Sequence, residues 1–292
     1  MQKIKYILIL SLVLLQVGCI KDDLDDCPNL YLNFSYLAGN KEKSITDYIH
    51  SAQLYIYDSQ QQLVSVQQLH EQAILSGVGL KLSPDTYTAI AWANVSELSS
   101  ITQMQNATTA LLTTQKDKEG VYSSTDPLYL GSHTFDVTAQ SDFSEPVYET
   151  VDFRSAHLSL DITIKGLGNE LATVSVENLM PQYDFSMKPM KPNDINYSPR
   201  VNLSEDEKQQ KAFLHVLRYK GKQPMELTIT PSSEGSIPYT LDMREFVNEY
   251  YPDLSLANRA DITIRIEIEF SGLDVIATIP DWTITDGTGE IE

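Results

Sequence analysis

The two cysteines of this 292-residue chain, Cys19 and Cys27, lie on either side of a short acidic cluster near the N-terminus. Thiols at this spacing can do two kinds of chemistry. They can form a disulfide at the start of a folded domain, or the first can be a processing site at which the preceding segment is removed. The residues before Cys19 help to distinguish these two interpretations.

The segment 1–18 has the features of an export signal. Two lysines precede an apolar run over 7–15, which is shorter than the roughly 20 residues that span a bilayer. The run ends in Leu-Gln-Val-Gly-Cys, which resembles the bacterial lipobox, where the cysteine after a small residue is diacylated and becomes the new N-terminus. We therefore predict a signal peptide over 1–18 and lipid on Cys19, which leaves Cys27 without a disulfide partner.

Sequence patterns for catalysis or metal binding are otherwise nearly absent. The histidines form no HExxH or HxxxH pair, and the sequence has no phosphate-binding loop, dinucleotide fingerprint or G-x-S-x-G elbow. Forty acidic residues guarantee some carboxylate pairs in any fold, so such pairs alone do not indicate a glycosidase. We predict no catalytic residue, no metal site and no cofactor. A hydrolase whose Ser/His set is assembled only by the fold stays open.

Charge and composition restrict the partners. With 40 acidic and 21 basic residues, the net charge of −19 repels both nucleic acid and anionic lipid. The apolar fraction of 42% is sufficient for a packed core. Trp92 and Trp282 lie in or beside predicted strands, where core packing is favoured over stacking on a sugar.

The elements that position these residues are mainly strands. Leucine and isoleucine alternate with polar residues over 158–165 and 262–270, which is typical of antiparallel strands with one buried face. Helical spacing of apolar residues predicts a short helix at 243–250, and the polar stretch 96–126 is predicted to be a long loop. Short strands in both halves, with a few short helices, predict an all-β chain of two tandem β-sandwich domains.

The predicted organisation has four parts. They are the signal peptide at 1–18, a lipidated acidic tether at 19–29, an N-terminal β-sandwich at 30–148 and a C-terminal β-sandwich at 149–292. The stretch 143–151 is the predicted boundary between the sandwiches.

Several stretches, in order along nearly the whole mature chain, resemble the FimB-type fimbrial anchor family of Bacteroides-type bacteria. They are CIKDDLDDCPNLYLNF (19–34), LSPDTYTAIAWANV (82–95), DPLYLG (126–131), FRSAHLSLDITIKGL (153–167) and VIATIPDWTITDGTGEIE (275–292). The resemblance implies transthyretin-like sandwiches and an outer-membrane lipoprotein that holds the base of a fimbrium and limits its length. Residues Lys21, Asp22 and Asp23 are similar to the acidic signal that directs such lipoproteins to the outer face.

The same resemblance separates an anchor from a stalk subunit. Related stalk fimbrillins lose their lipidated end to an arginine-specific protease, but here no arginine precedes Arg154. We therefore expect the lipid end to be retained and a fimbrial stalk subunit to bind at a sandwich edge, since exposed edges accept strands. The alternative is a surface glycan-binding lipoprotein, which requires an exposed aromatic platform.

Overall fold

The structure is a computed structural model that describes residues 28–37, 44–138, 146–168, 170–190, 195–204, 209–218, 225–250, 260–271 and 274–279. Strands make up about 57% of it and helices about 8%, which confirms the all-β prediction. The signal peptide and most of the tether lie outside the described residues.

The first half of the chain contributes nine of the described strands. They are β1 (Leu30–Ser35), β2 (Ser51–Tyr57), β3 (Leu63–His70), β4 (Val78–Leu80), β5 (Asp85–Ala93), β6 (Ser99–Thr102), β7 (Leu111–Thr114), β8 (Tyr129–Val137) and β9 (Val147–Ser155). A 3-10 turn, Ile45–Asp47, precedes β2, and helix α1 (Glu71–Ser76) follows β3. Seven of the strands form one sheet in the order β3-β2-β5-β8-β9-β1-β4.

This seven-stranded sheet has a hydrophobic core on each face. Leu54 and Ile56 of β2 pack in one core with Leu32 of β1, whereas Tyr55 of β2 packs in the other with Trp92 of β5. Strands buried on both faces are apolar almost continuously instead of alternating, as in the LYIY and AIAWA segments of β2 and β5. Trp92 is fully buried, which confirms that it packs in the core.

Strand β9 belongs to the sheet of the first half. It runs parallel to β1 over six residue pairs, from Leu30 and Val147 to Ser35 and Asp152, and it also pairs with β8. The division predicted between residues 148 and 149 therefore falls inside this strand. From its pairing we propose that the first sandwich extends to Ser155.

The second half contributes eleven of the described strands. They are β10 (His157–Lys165), β11 (Ala172–Leu179), β12 (Gln182–Asp184), β13 (Pro189–Met190), β14 (Ile195–Tyr197), β15 (Val201–Leu203), β16 (Gln209–Leu217), β17 (Glu226–Pro231), β18 (Tyr239–Asp242), β19 (Thr263–Ser271) and β20 (Asp274–Thr278). Two sheets, β15-β16-β10-β19-β20 and β14-β11-β17-β18, enclose a single core. Helix α2 (Met243–Tyr250) packs its apolar side against that core.

The clearest sequence patterns of the second half are confirmed. The alternate residues of β10 from Leu158 to Ile164, and those from Ile262 through β19 to Ile268, are buried. Each such side chain contributes about 1.5–3 kcal/mol through removal of apolar surface from water. Helix α2 lies where it was predicted and buries Met243, Phe246 and Val247.

A fourth sheet, β13-β12-β7-β6, is built from both halves of the chain. Strands β6 and β7 lie within 96–126, so the prediction of a long loop there is wrong. Its Ser/Thr-rich composition hides two short strands, and β7 pairs with β12 from the second half. Tyr183 and Phe185 of the β12–β13 hairpin pack with Tyr55 and Trp92, so this hairpin covers the first sheet and joins the two halves.

Candidate functional site

The residues predicted to carry function at the N-terminus lie outside the described residues. They are Cys19 and the predicted export signal of Lys21, Asp22 and Asp23. Cys27, which is predicted to have no disulfide partner, lies outside as well. Their roles stay predictions. Pro28 is the first described residue, and it lies where the predicted tether enters the fold.

Asn29 fixes the point at which the tether meets the first sheet. Its side-chain amide donates to the Leu82 carbonyl oxygen at 2.7 Å, and its side-chain oxygen accepts from the Leu82 amide at 2.9 Å. Its backbone donates to Leu80 at 3.0 Å and accepts from Val147 at 2.9 Å. Asn29 is only 6% exposed, so these four bonds hold the chain in a largely dry environment.

Strand β1 continues from Asn29 into the interior of the sheet. It lies between β9, with six parallel pairs, and β4, with three antiparallel pairs. Leu30 and Leu32 are fully buried in the core beneath it. The adjacent Pro28 packs so closely over Gly79 of β4 that a Cβ on this glycine would lie 2.8 Å from the proline Cγ. Force applied through residues 19–29 therefore reaches a strand bonded on both sides and packed on the core.

Residue 29 was predicted to be the end of the tether, whereas Asn29 forms four hydrogen bonds that hold the chain to the first sheet. The signal that points to it is an asparagine directly before a period-two strand, since asparagine has both a donor and an acceptor for backbone groups. Its partner, Leu82, is 53 residues away, and no local pattern specifies that contact.

The second feature of interest is the set of outer strands that end each sheet. In the described residues, β3 and β4 are the edge strands of the first sheet. In the second sandwich, β15 and β20 end one sheet, and β14 and β18 end the other. The shared sheet ends at β13 and β6. An edge strand has unpaired backbone groups on its outer side, which is the chemistry that accepts a strand from another protein. The sandwich edges are thus the candidate docking surfaces.

A serine, a histidine and an aspartate also meet where the two halves join. Ser155 Oγ is 3.3 Å from His157 Nδ1, and His157 Nε2 is 3.8 Å from Asp261 Oδ1. His157 Nδ1 also lies 3.0 Å from the Leu128 carbonyl oxygen, so we assign its proton to that bond. A protonated Nδ1 cannot accept the proton of Ser155, whose hydroxyl donates to a backbone carbonyl oxygen and is buried. The arrangement stabilises the junction and does not activate the serine.

Charged and titratable side chains surround this junction. The Tyr129 hydroxyl donates to Asp261 Oδ2 at 2.9 Å, and Arg218, which is 6% exposed, donates to backbone carbonyl oxygens on both sides. Burial lowers the pKa of His157, although the Asp261 carboxylate opposes that shift. Burial, with a smaller effect of His157, lowers the pKa of His215 to about 4. Both rings are therefore neutral in the native protein near pH 7.

Among the described residues, no three histidine, cysteine, aspartate or glutamate side chains are close enough to hold a metal ion. In that same part of the chain, no helix has the length and apolar character needed to cross a membrane.

Comparison with known proteins identifies relatives of this architecture. The Mfa2 anchor from Porphyromonas gingivalis has a TM-score of 0.62 and 15% identity, over 86% of this chain and 95% of that one. A candidate adhesin from Bacteroides ovatus gives a TM-score of 0.72 at 13% identity, over 88% and 94%. A candidate polysaccharide-binding protein from Bacteroides thetaiotaomicron gives 0.67 at 13% identity, over 84% and 91%. At such identities, these similarities show the fold alone. No curated protein sequence matches this chain.

The family comparison is more specific than the structural ones. The model of the family described as fimbrillin-A associated anchor proteins Mfa1 and Mfa2 matches residues 24–288, which is most of the chain. This match confirms the family resemblance inferred from the sequence and indicates a structural role as a fimbrial anchor or adhesin at the cell surface. The chain belongs to the family of fimbrillin-A associated anchor proteins.

Proposed function

We propose that this chain is an outer-membrane lipoprotein, exposed at the surface, that anchors a fimbrium to the cell and limits its length. Lipid on Cys19 holds the outer membrane, residues 20–29 form the spacer, and Lys21, Asp22 and Asp23 direct the protein to the outer face. The observation that carries the proposal is the position of β1, which follows the spacer directly and is bonded on both sides within the sheet.

The distribution of arginine supports an anchor over a stalk subunit. The first arginine of the chain is Arg154, and it lies in β9. The predicted boundaries place it near the start of the second sandwich, but β9 pairs with β1 and β8 of the first sheet. Cleavage after this residue would not free β1, because all seven strands of that sheet precede the cut apart from Ser155 at the end of β9; it would instead separate this sheet from β10 to β20. The N-terminal strand and its lipid are therefore expected to remain attached.

A fimbrial stalk subunit is the proposed partner, bound through an edge of a sandwich. Backbone hydrogen bonds along the edge would supply affinity, and alternate side chains would specify the partner. An anchor that occupies the end of a fimbrium also ends its growth at the cell, which accounts for the control of length.

Deletion of the gene tests this proposal. We expect the deletion strain to shed fimbriae into the medium and the remaining fimbriae to differ in length by electron microscopy. Complementation with the unaltered gene is the control and should restore both properties. Fimbriae that stay on the deletion strain at normal number and length would refute the anchor function.

A second candidate function is glycan binding, which one surface feature favours. Tyr148 is 65% exposed and stacks on Tyr31 with ring centroids 5.3 Å apart, so its outer face is accessible to a sugar. Trp92 cannot supply such a platform because it is fully buried, and Trp282 lies outside the described residues. Binding on a glycan array that Tyr148→Ala abolishes would favour this alternative, whereas the anchor proposal predicts no glycan-dependent binding.

A further inference from the structure

Strand β3 differs from the other edge strands of the described sheets. It has eight residues, LVSVQQLH, without aspartate, glutamate, lysine, arginine or proline. The remaining edge strands have two to five residues, and β13, β18 and β20 also contain a proline or an aspartate. Short length, charge and proline are the usual means by which proteins prevent edge pairing. Strand β3 lacks all three.

The direction of the backbone groups of β3 follows from its neighbour β2. The Ser51 carbonyl oxygen accepts from the Asn94 amide on the β5 side, so the next residue, Ala52, directs its backbone groups toward β3. Ala52 is paired with Leu69. Because these directions alternate along a strand, Leu69, Gln67 and Ser65 face β2. The amide and carbonyl groups of Val66 and Gln68, and the amide of His70, therefore point away from the sheet. The carbonyl oxygen of His70, the N-cap of α1, accepts the first hydrogen bond of that helix.

One end of this outer side is already closed within the fold. The Leu63 amide donates to the Gln105 carbonyl oxygen at 3.0 Å, and Gln62 forms a bridge with Asn106. The register shifts between Ile56 and Tyr57, just before the regular pairing that begins at Ser65. The open part of the edge is therefore the six-residue segment from Ser65 to His70, which corresponds to an ordinary strand length.

The side chains of the edge offer apolar contacts without charge. Val64 is 48% exposed and Val66 is 46% exposed. The other exposed residues of β3 are Gln68 and His70. Apolar side chains beside open backbone groups are the combination used in recognition by strand addition. The edge can thus supply both affinity and specificity.

Net charge distinguishes two candidate occupants of this edge, a second copy of this chain and a segment of a different protein. The chain carries a net charge of −19, so pairing two copies along β3 would bring two strongly acidic bodies together. A segment from a different protein has no such penalty if it is neutral or basic. We propose that the β3 edge is the docking edge of the anchor, where a neutral or basic extended segment of a fimbrial subunit adds as the next strand. This inference rests on the proposed function and names its binding surface.

Two substitutions on β3 test the proposal without altering its pairing with β2. Gln68→Pro removes an outward amide, and proline is tolerated on edge strands where the N–H faces solvent. Val66→Lys adds the charge that normally guards an edge. The matched control is Ile276→Lys on β20, the next-longest edge strand, where the isoleucine is 57% exposed. The probe is fimbriae sheared from a strain that lacks this gene, added to the full-length chain in detergent.

We expect Gln68→Pro and Val66→Lys to weaken binding of these fimbriae by about tenfold or more, since a backbone hydrogen bond and its apolar contacts are lost. Ile276→Lys should bind as the unaltered chain does. In addition, bound fimbriae should slow hydrogen exchange at the amides of Val66, Gln68 and His70. Circular dichroism spectra that match the unaltered chain would show that both β3 variants remain folded.

The other outcomes each overturn the proposal in a distinguishable way. Equal binding by all variants would exclude the β3 edge but leave the anchor function in place. If only Ile276→Lys loses binding, the docking edge is β20 and not β3. A dimer of the unaltered chain that Val66→Lys converts to a monomer would make a second copy the occupant. If the unaltered chain does not bind the fimbriae, the proposed function itself fails.

Discussion

Replacing Leu32 by alanine should destabilise the whole first sandwich, because the strand that carries the tether is part of its core. Leu32 is fully buried in β1, which lies between β9 and β4, and packs in the same cluster as Leu54 and Ile56 of β2. Truncation of a buried leucine removes its burial and leaves a cavity, at a cost of about 2–5 kcal/mol. Total stabilities are about 5–15 kcal/mol, so the variant should remain folded but measurably weaker.

A matched control lies one residue away on the same strand. The side chain of Tyr31 points to the opposite face, where it is only partly buried and stacks on the exposed Tyr148. The stacking contributes about 0.5–1.5 kcal/mol, so Tyr31→Ala should cost much less than Leu32→Ala. The difference between the two variants isolates core packing from a general effect of changing β1.

The assay is urea unfolding of the full-length chain in detergent, followed by tryptophan fluorescence and circular dichroism. Trp92 lies in the same sandwich and is fully buried, so its emission reports unfolding of this part. Leu32→Ala should lower the midpoint clearly more than Tyr31→Ala. Equal midpoints for the two variants would show that β1 is not held in the core and would refute the route of force from tether to sheet.

Three further predictions concern other parts of the fold. Gly166→Ala should prevent stable folding or lower the free energy of unfolding by several kcal/mol. This glycine has φ +83°, and a Cβ on it would overlap the Phe270 carbonyl oxygen. An unchanged melting temperature in thermal unfolding would contradict this. The pKa of His215 is lowered in the native protein, so as the pH decreases the unfolded chain binds a proton first. The free energy of unfolding should therefore fall as the pH decreases from about 6.5 to 4, by at most ~1.4 kcal/mol per pH unit. His215→Gln should flatten that slope in urea titrations, and an unchanged slope would exclude this residue as its source. Arg218→Met should cost about 1–3 kcal/mol because the His157 and Ala260 carbonyl oxygens lose a buried donor and Asp261 loses a nearby positive charge. Combining it with Asp261→Asn should cost less than the two changes summed, and additive losses would show that the two side chains are not coupled.

The elements most accurately predicted from the sequence were those with one buried face. Alternation placed β10 and β19, and helical spacing placed α2, because in each case the period of the sequence matches the period of the structure. The short strands β6 and β7 were missed because each has only four residues, of which one or two are apolar, and so few residues give no usable period. Strand β7 also pairs with β12, about 70 residues further along the chain, which no local pattern specifies.

The division between the sandwiches shows a related limit. The predicted boundary at 143–151 includes the first five residues of β9, from Val147 to Val151, which belong to the first sheet. The place of β9 beside β1 is a parallel pairing across more than 100 residues, which local patterns do not specify. The β3 edge could not be identified either, because LVSVQQLH has a strand composition but nothing in it shows which side lacks a partner.

The most direct test of the anchor function is the fate of fimbriae in a strain that carries Cys19→Ala. The account predicts that this variant lacks diacylglycerol mass and that most fimbriae appear in the medium. Cys27→Ala is the matched control and should keep both the lipid and the fimbriae on the cell. Fimbriae that remain cell-bound in the Cys19→Ala strain, at the level of the Cys27→Ala strain, would contradict the account.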